Sequence, residues 1–291
     1  MGTSKSYGGP GSGLVPSWVD DPAPPARPVP PSQSIAPTAP GQSVPEDGTP
    51  GLQPTAPSQP AQPDRAGTGA YSSAKRKFSS FARNGGSSEL GGALRRYVHS
   101  SGGSAKAARR MGAARGTGGR LLGVIRDAER AGLGEALRSR GLDNLVGRAA
   151  EDVYRGLVDI VCPPGGPIDE AISRQAMLDA IADQAEAGVT DFGALTPDQL
   201  KEFFLDFVIR SIEGRVMSDI AARAVTLPDD VAQVMDIQQQ LHDFVAGCAR
   251  NHLGDQLRSL AALNDQQVEA KVDAIYEVAF SLVAAAGEAA E

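Results

Sequence analysis

Gly2 is the residue of this 291-residue sequence whose chemistry is most sharply placed. The small side chain at position 2 predicts removal of Met1, which leaves an unhindered glycine α-amine. Such an amine has a pKa of about 7.7–8.0, so an appreciable fraction is nucleophilic at neutral pH. Met1-Gly2-Thr3-Ser4-Lys5-Ser6 fits the N-myristoylation pattern, with Ser6 in the required place.

The other reactive residue types are sparse. His99, His242 and His252 are the only histidines, and the last two stand ten apart rather than at the i, i+4 spacing that puts two ligands on one turn. They read as surface or helix-end residues. Cys162 and Cys248, 86 positions apart, read as small core hydrophobes. There is no C-x-x-C, H-E-x-x-H or G-x-S-x-G. Gly116-Thr117-Gly118-Gly119-Arg120 precedes a helical pattern but lacks a preceding strand and a following G-K-[ST], so it reads as a flexible joint and not a phosphate cradle. Asp179, Asp183 and Glu186 fall on polar helix faces and read as solvated. No catalytic residues, metal ligands or cofactor are expected.

Charge divides the chain into three regions. Residues 1–68 carry three Lys/Arg against five Asp/Glu, residues 69–120 carry eleven against Glu89 alone, and residues 121–291 carry 14 against 29. The overall net of −7 therefore hides a basic middle beside an acidic C-terminal part. The basic patch comprises Lys75, Arg76, Lys77, Arg95, Arg96, Arg109 and Arg110, interleaved with Phe78, Phe81 and Tyr97. Two uses fit it. It pairs with acidic groups, in the C-terminal part or on a partner, or it binds nucleic acid, with cations on phosphates and aromatics stacked on bases.

The elements that must position these groups follow from periodicity. Sixteen of the 21 prolines fall between Pro10 and Pro63, so residues 1–68 read as a disordered Pro/Gly-rich tail. About 60 such residues span roughly 40 Å as a coil. Within the tail, Leu14, Val15, Trp18 and Val19 form an apolar cluster of docking type, and Pro24 to Pro31 reads as a semi-rigid polyproline spacer. Residues 69–117 form a basic Gly/Ser-rich segment with short, marginal helices at about 72–83, 88–99 and 104–112.

From there, residues 118–291 read as an acidic all-α domain of about six helices. Leu142, Leu145, Val146, Ala149, Val153, Leu157 and Ile160 make one stripe, ended by Pro163-Pro164-Gly165-Gly166. Ile168, Ile172, Ala176 and Ile181 make the next. Thr196-Pro197-Asp198-Gln199 is a capping box, leading to Leu200, Phe203, Phe204, Phe207, Val208 and Ile212. Pro228 opens a helix carrying Val231, Val234, Ile237, Leu241, Val245 and Cys248. Asn264 with Gln267 caps the last, carrying Val268, Val272, Ile275, Ala279 and Leu282. No stretch reaches the 18 or more apolar residues of a membrane span, the N-terminus lacks a signal-peptide core, and the cytoplasm is the expected compartment.

The opening MGTSKSYGGPGSG, followed by LVPSWVDD and a Pro-rich stretch, resembles the QatB family of the bacterial Qat anti-phage system. That resemblance implies a non-enzymatic protein that accompanies an ATPase, a relative of 7-cyano-7-deazaguanine synthase and a TatD-like DNase. It further implies that Gly2 is the substrate of the synthase relative, which would read Thr3, Ser4, Tyr7, Gly8, Gly9 and Pro10 as an extended strand, with Trp18 part of partner recognition. A nucleic-acid-binding adaptor using residues 75–120 and a lipid-anchored scaffold through Gly2 are the competing functions.

Overall fold

A computed structural model describes residues 71–162, 168–188, 195–221 and 230–290. Among them are ten α-helices and no strand. In chain order these are α1 (Ser72–Asn84), α2 (Ser87–Ser100), α3 (Ser104–Arg109), α4 (Gly112–Ala131), α5 (Leu133–Arg138), α6 (Ala150–Val161), α7 (Ile168–Glu186), α8 (Pro197–Ala221), α9 (Val231–Gln256) and α10 (Asp265–Ala290). Single 3-10 turns at Asp143–Leu145 and Leu260–Ala262 complete the order. The all-α class stands, and α4, α6, α7, α8, α9 and α10 supply the six long helices expected after the basic segment.

α8 is the axis of the body. Phe203, Phe204, Leu205, Phe207, Val208 and Ile209 are all fully buried, so its apolar surface runs right round and must be covered on every side. α7, α9 and α4 supply that cover, and α10 packs in turn on α2, α3, α4 and α9. Tyr154 of α6 lies against Phe203, with ring centroids 4.4 Å apart. The two capping boxes form as the spacing predicts. Gln199 N–H donates to Thr196 Oγ1 at 3.2 Å and Thr196 N–H to Gln199 Oε1 at 2.9 Å, while Asn264 and Gln267 exchange the same pair at 2.8 and 2.9 Å.

Several expectations need correcting. The helices over 72–109 are where periodicity places them, and they do not stand in isolation. Phe78, Phe81, Leu94 and Tyr97 are buried in the same hydrophobic core as α8 and α10. Packing supplies the stability that isolated Gly-rich helices lack. The Gly116–Arg120 joint is the middle of α4, and helix α4 runs through position 118 without a break. In the first stripe, residues 142–149 form turns, α6 begins at Ala150, and Ile160 faces outward. Ile168 and Val231, expected inward, are 70% and 72% exposed because each opens its helix beyond the last covering turn. The breaks at Pro163–Pro167 and Pro228 lie outside the described residues, as does the tail.

Glycine has a positional role where α2 crosses α10. A Cβ on Gly287 would stand 2.3 Å from the Gly91 carbonyl oxygen, so only glycine admits this approach. Gly287→Ala is expected to destabilise the fold by about 1–3 kcal/mol through overpacking. Gly119→Ala on α4, whose Cβ would meet only Glu269 Cγ at 3.9 Å, is expected to stabilise by about 0.5–1 kcal/mol. Urea unfolding of the two variants beside the parent checks both signs.

Candidate functional site

The basic residues cluster by sequence, but the fold divides them between two uses. Some lock the N-terminal helices to the acidic ones. Arg95 lies 3.6 Å from Glu288 on α10 and Arg110 lies 3.5 Å from Asp219 on α8, while Lys77 Nζ, 3.3 Å from Glu89, ties α1 to α2. Arg115 adds a pairing to Asp273 on α10, its Nε donating at 2.5 Å. Arg96 is half-buried beside Tyr97. Lys75, Arg76, Arg83, Lys106 and Arg109 have no carboxylate partner among the described residues, and Arg76 and Arg109 are exposed.

Asp219 is the densest of these junctions. It accepts from the Tyr97 hydroxyl at 2.9 Å and from Arg215 Nε at 3.2 Å, besides Arg110. Arg215 in turn bonds Asp169 at the start of α7, and the Arg110 guanidinium sits 5.7 Å above the Tyr71 ring, which stacks on Tyr97 at 5.0 Å. Burial first, then the charge on Asp219, pushes the Tyr97 phenol well above its ordinary pKa, so it remains a donor. Five helices, α1, α2, α3, α7 and α8, thereby meet at one polar knot. The aromatics of the basic segment are committed here and in the core: Phe78, Phe81 and Tyr97 are at most 1% exposed. They cannot stack on bases, which removes that half of the expected nucleic-acid surface.

A second network joins α7, α8 and α9. Arg210 holds Asp183 with a bidentate pair at 2.9 and 3.1 Å, and Glu213 lies 2.8 Å from His242 Nδ1 and 3.6 Å from Arg210. Asp183 is therefore not simply solvated, and His242 is an interior partner and not a surface residue, whereas His99 and His252 are exposed. Cys162 is buried, Cys248 is half-buried, and neither is bridged.

A groove of about 670 Å³ lies over α4. Its floor is the face Gly112, Gly116, Gly119, Gly123, spaced at one side of a helix. Arg115, Arg120, Arg126 and Arg140 stand around it, with Asp265, Glu269 and Asp273 along the α10 rim. Val124, Ile160, Val161 and Val268 give it an aliphatic strip. No sequence signal placed these residues together, because Arg140 and the end of α6 reach the groove only through the tertiary fold. The glycine spacing in α4 was the one available clue.

Gly2, Thr3, Ser4, Tyr7, Gly8, Gly9, Pro10 and Trp18 lie outside the described residues. Among the described residues no helix is long and apolar enough to cross a membrane, and no cluster of three or more His, Cys, Asp or Glu side chains could hold a metal ion.

Fold and site define an all-helical protein whose single core is tied together by buried Arg–carboxylate clusters. Over residues 102–283 the sequence matches the family model described as Qat anti-phage system associated protein QatB. The chain belongs to the QatB family and is a component of the Qat anti-phage defence system. The match covers most of the helical body and leaves out the tip that carries the resemblance noted above, so the two indications are independent. No curated protein and no solved structure matches the chain.

Two measurements test the networks. Asp219→Ala leaves Arg110 and Arg215 without their shared carboxylate and is expected to cost about 3 kcal/mol in urea unfolding. Burial, ahead of the opposing His242 and Arg210 contacts, raises the Glu213 pKa. The folded state then holds the proton more tightly than the unfolded one. The contribution of Glu213 to stability is full below the ordinary glutamate range, about 4.3, and is lost as pH rises through the raised value. The stability of the parent relative to Glu213→Gln is therefore expected to fall as pH climbs from about 4 toward neutrality.

Proposed function

We propose that the chain serves its defence system as a non-catalytic, cytoplasmic partner protein, whose helical body docks other components while the Gly2 amine is acylated by the 7-cyano-7-deazaguanine-synthase-like member. The observation that carries this reading is the joining of an unhindered Met1-Gly2 opening, in the context MGTSKSYGGP, to a body of the QatB family. Sixty-eight residues lie between Gly2 and Tyr71, where the described body begins, and as a coil they span about 45 Å. That reach lets the amine enter an active site while the body stays docked elsewhere.

The chemistry is an acyl transfer. A deazaguanine carboxylate is activated by ATP as the acyl adenylate, with release of pyrophosphate. The Gly2 nitrogen attacks the carbonyl, AMP leaves, and the amine gives up a proton as the amide forms. Thr3, Ser4, Tyr7, Gly8, Gly9 and Pro10 suit an extended strand threaded into a narrow site, and Trp18 suits an anchor further along. The ATPase and the TatD-like DNase are the other partners of this reading.

The second reading, a nucleic-acid adaptor, has in its favour the unpartnered cations Lys75, Arg76, Lys106 and Arg109. A duplex bound by the full-length chain would then be released steeply as salt rises, by a slope near −0.9 for each phosphate contacted.

Intact mass of the chain co-produced with its neighbouring components is the deciding measurement. The expected result is an N-terminal peptide lacking Met1 and carrying the deazaguanine acyl group, a mass distinct from that of a myristoyl chain. Gly2→Glu is expected to abolish both the added mass and phage protection. An unmodified Gly2, or full protection by Gly2→Glu, would overturn the reading.

A further inference from the structure

The groove over α4 has features that the ion-pair networks leave unused. Its guanidiniums are held in place from behind. Arg120 donates its Nε to the Val161 carbonyl at 2.8 Å, and among the described residues both of its terminal nitrogens are uncommitted. Asp127 accepts from Arg126 Nε at 2.8 Å and from Arg140 Nη2 at 2.6 Å, and Arg140 Nη1 donates to the Ala136 carbonyl at 2.9 Å. Side chains fixed at one edge need lose little further freedom to bind at the other.

The carboxylates opposite them are loosely held. The side chain of Asp265, partner of Arg126, is 90% exposed, and that of Asp273, partner of Arg115, is 49% exposed. Bridges to such exposed groups contribute little and exchange readily. Glu269 has no bonding partner at all among the described residues. The floor is open down to the backbone. A Cβ on Gly112 would meet nothing within 4 Å, and those on Gly116 and Gly123 only guanidinium nitrogens at 3.7–3.8 Å.

We propose that this groove binds a free mononucleotide, its phosphate on Arg120 and the neighbouring guanidiniums and a hydrogen-bond-donating group of its sugar or base on Glu269. Guanidiniums match phosphate oxygens in paired, charge-assisted hydrogen bonds that a single exposed aspartate reproduces poorly. Of the aliphatic lining residues Ile160 is the open one, at 38% exposed, and it offers an apolar contact for a flat ring. The volume lies within the range of small-molecule sites. Asp265, Glu269 and Asp273 on the α10 rim repel a continuous phosphate backbone, which favours a single nucleotide over a strand. This site is independent of the reading of Gly2, which lies in a different part of the chain.

Calorimetric titration of the full-length chain at low salt with AMP, adenosine and a short DNA duplex tests the proposal. AMP is expected to bind with a Kd of about 10 µM to 1 mM, and adenosine at least about tenfold more weakly. Arg120→Gln is expected to weaken AMP by about tenfold and leave adenosine unchanged, whereas Glu269→Gln weakens both. Gly116→Leu fills the groove while improving the helix, so it is expected to abolish AMP binding with a Tm no lower than the parent's. Absence of AMP binding, equal affinities for AMP and adenosine, or AMP binding untouched by Arg120→Gln and Gly116→Leu would each overturn it. So would duplex binding tighter than AMP and insensitive to Gly116→Leu.

Discussion

Asp219 holds together parts of the chain that have little else in common. The N-terminal helices are basic and glycine-rich, and α8 is apolar on every side. A carboxylate near the end of α8 accepts from Tyr97 on α2, from Arg110 just beyond α3 and from Arg215 on its own helix. Without it, two guanidiniums would stand mostly buried and partly uncompensated, a situation that costs several kcal/mol. The strong charge separation along the sequence thus serves the assembly of the fold. The cations arrive on the first helices and their counter-charges on α8 and α10, 100 to 200 residues later.

The same economy shapes α8 itself. A helix buried all round has no solvated face for its charged residues, so Asp206, Glu213 and Arg215 must find partners inside. Arg250 of α9 reaches Asp206 at 2.5 Å, His242 reaches Glu213, and Asp169 of α7 reaches Arg215. Each neighbour of α8 therefore has a polar contact that fixes its register as well as an apolar one that supplies most of the burial. Burial still dominates at Asp206 and Glu213, whose pKa values are raised despite these partners.

Legibility in the sequence followed how local each signal was. The capping boxes at Thr196 and Asn264 and the stripe of Leu200, Phe203, Phe204 and Phe207 rest on neighbours three or four residues apart, and all are found as read. The helices over 72–109 were readable in position but not in strength, because their stability comes from α8 and α10. Gly116–Arg120 was misread for the same reason. Glycines lower helix propensity, but α4 gains more from packing Gly118 close to Phe207 and Val272 than it loses. The groove left only the glycine spacing of α4 as a trace in the sequence, since its walls come from α4, α10 and the segments around α5 and α6. The tip is the reverse case: the reading of Gly2 rests on two residues of sequence and on no described part of the fold.

That contrast bears on how the chain divides its work. The family match spans 102–283 and so omits α1, α2 and the last turns of α10, which pack on one another through Gly91 and Gly287 and the Arg95–Glu288 pair. These parts form a clasp on the body just where the N-terminal 70 residues join it. A glycine-tight crossing of α2 and α10 resists separation better than an exposed helix end, because parting them means opening a packed backbone contact. The physical logic of the body thus runs toward its N-terminal edge, with basic helices drawn inward by acidic ones so that what precedes them has a fixed point of departure.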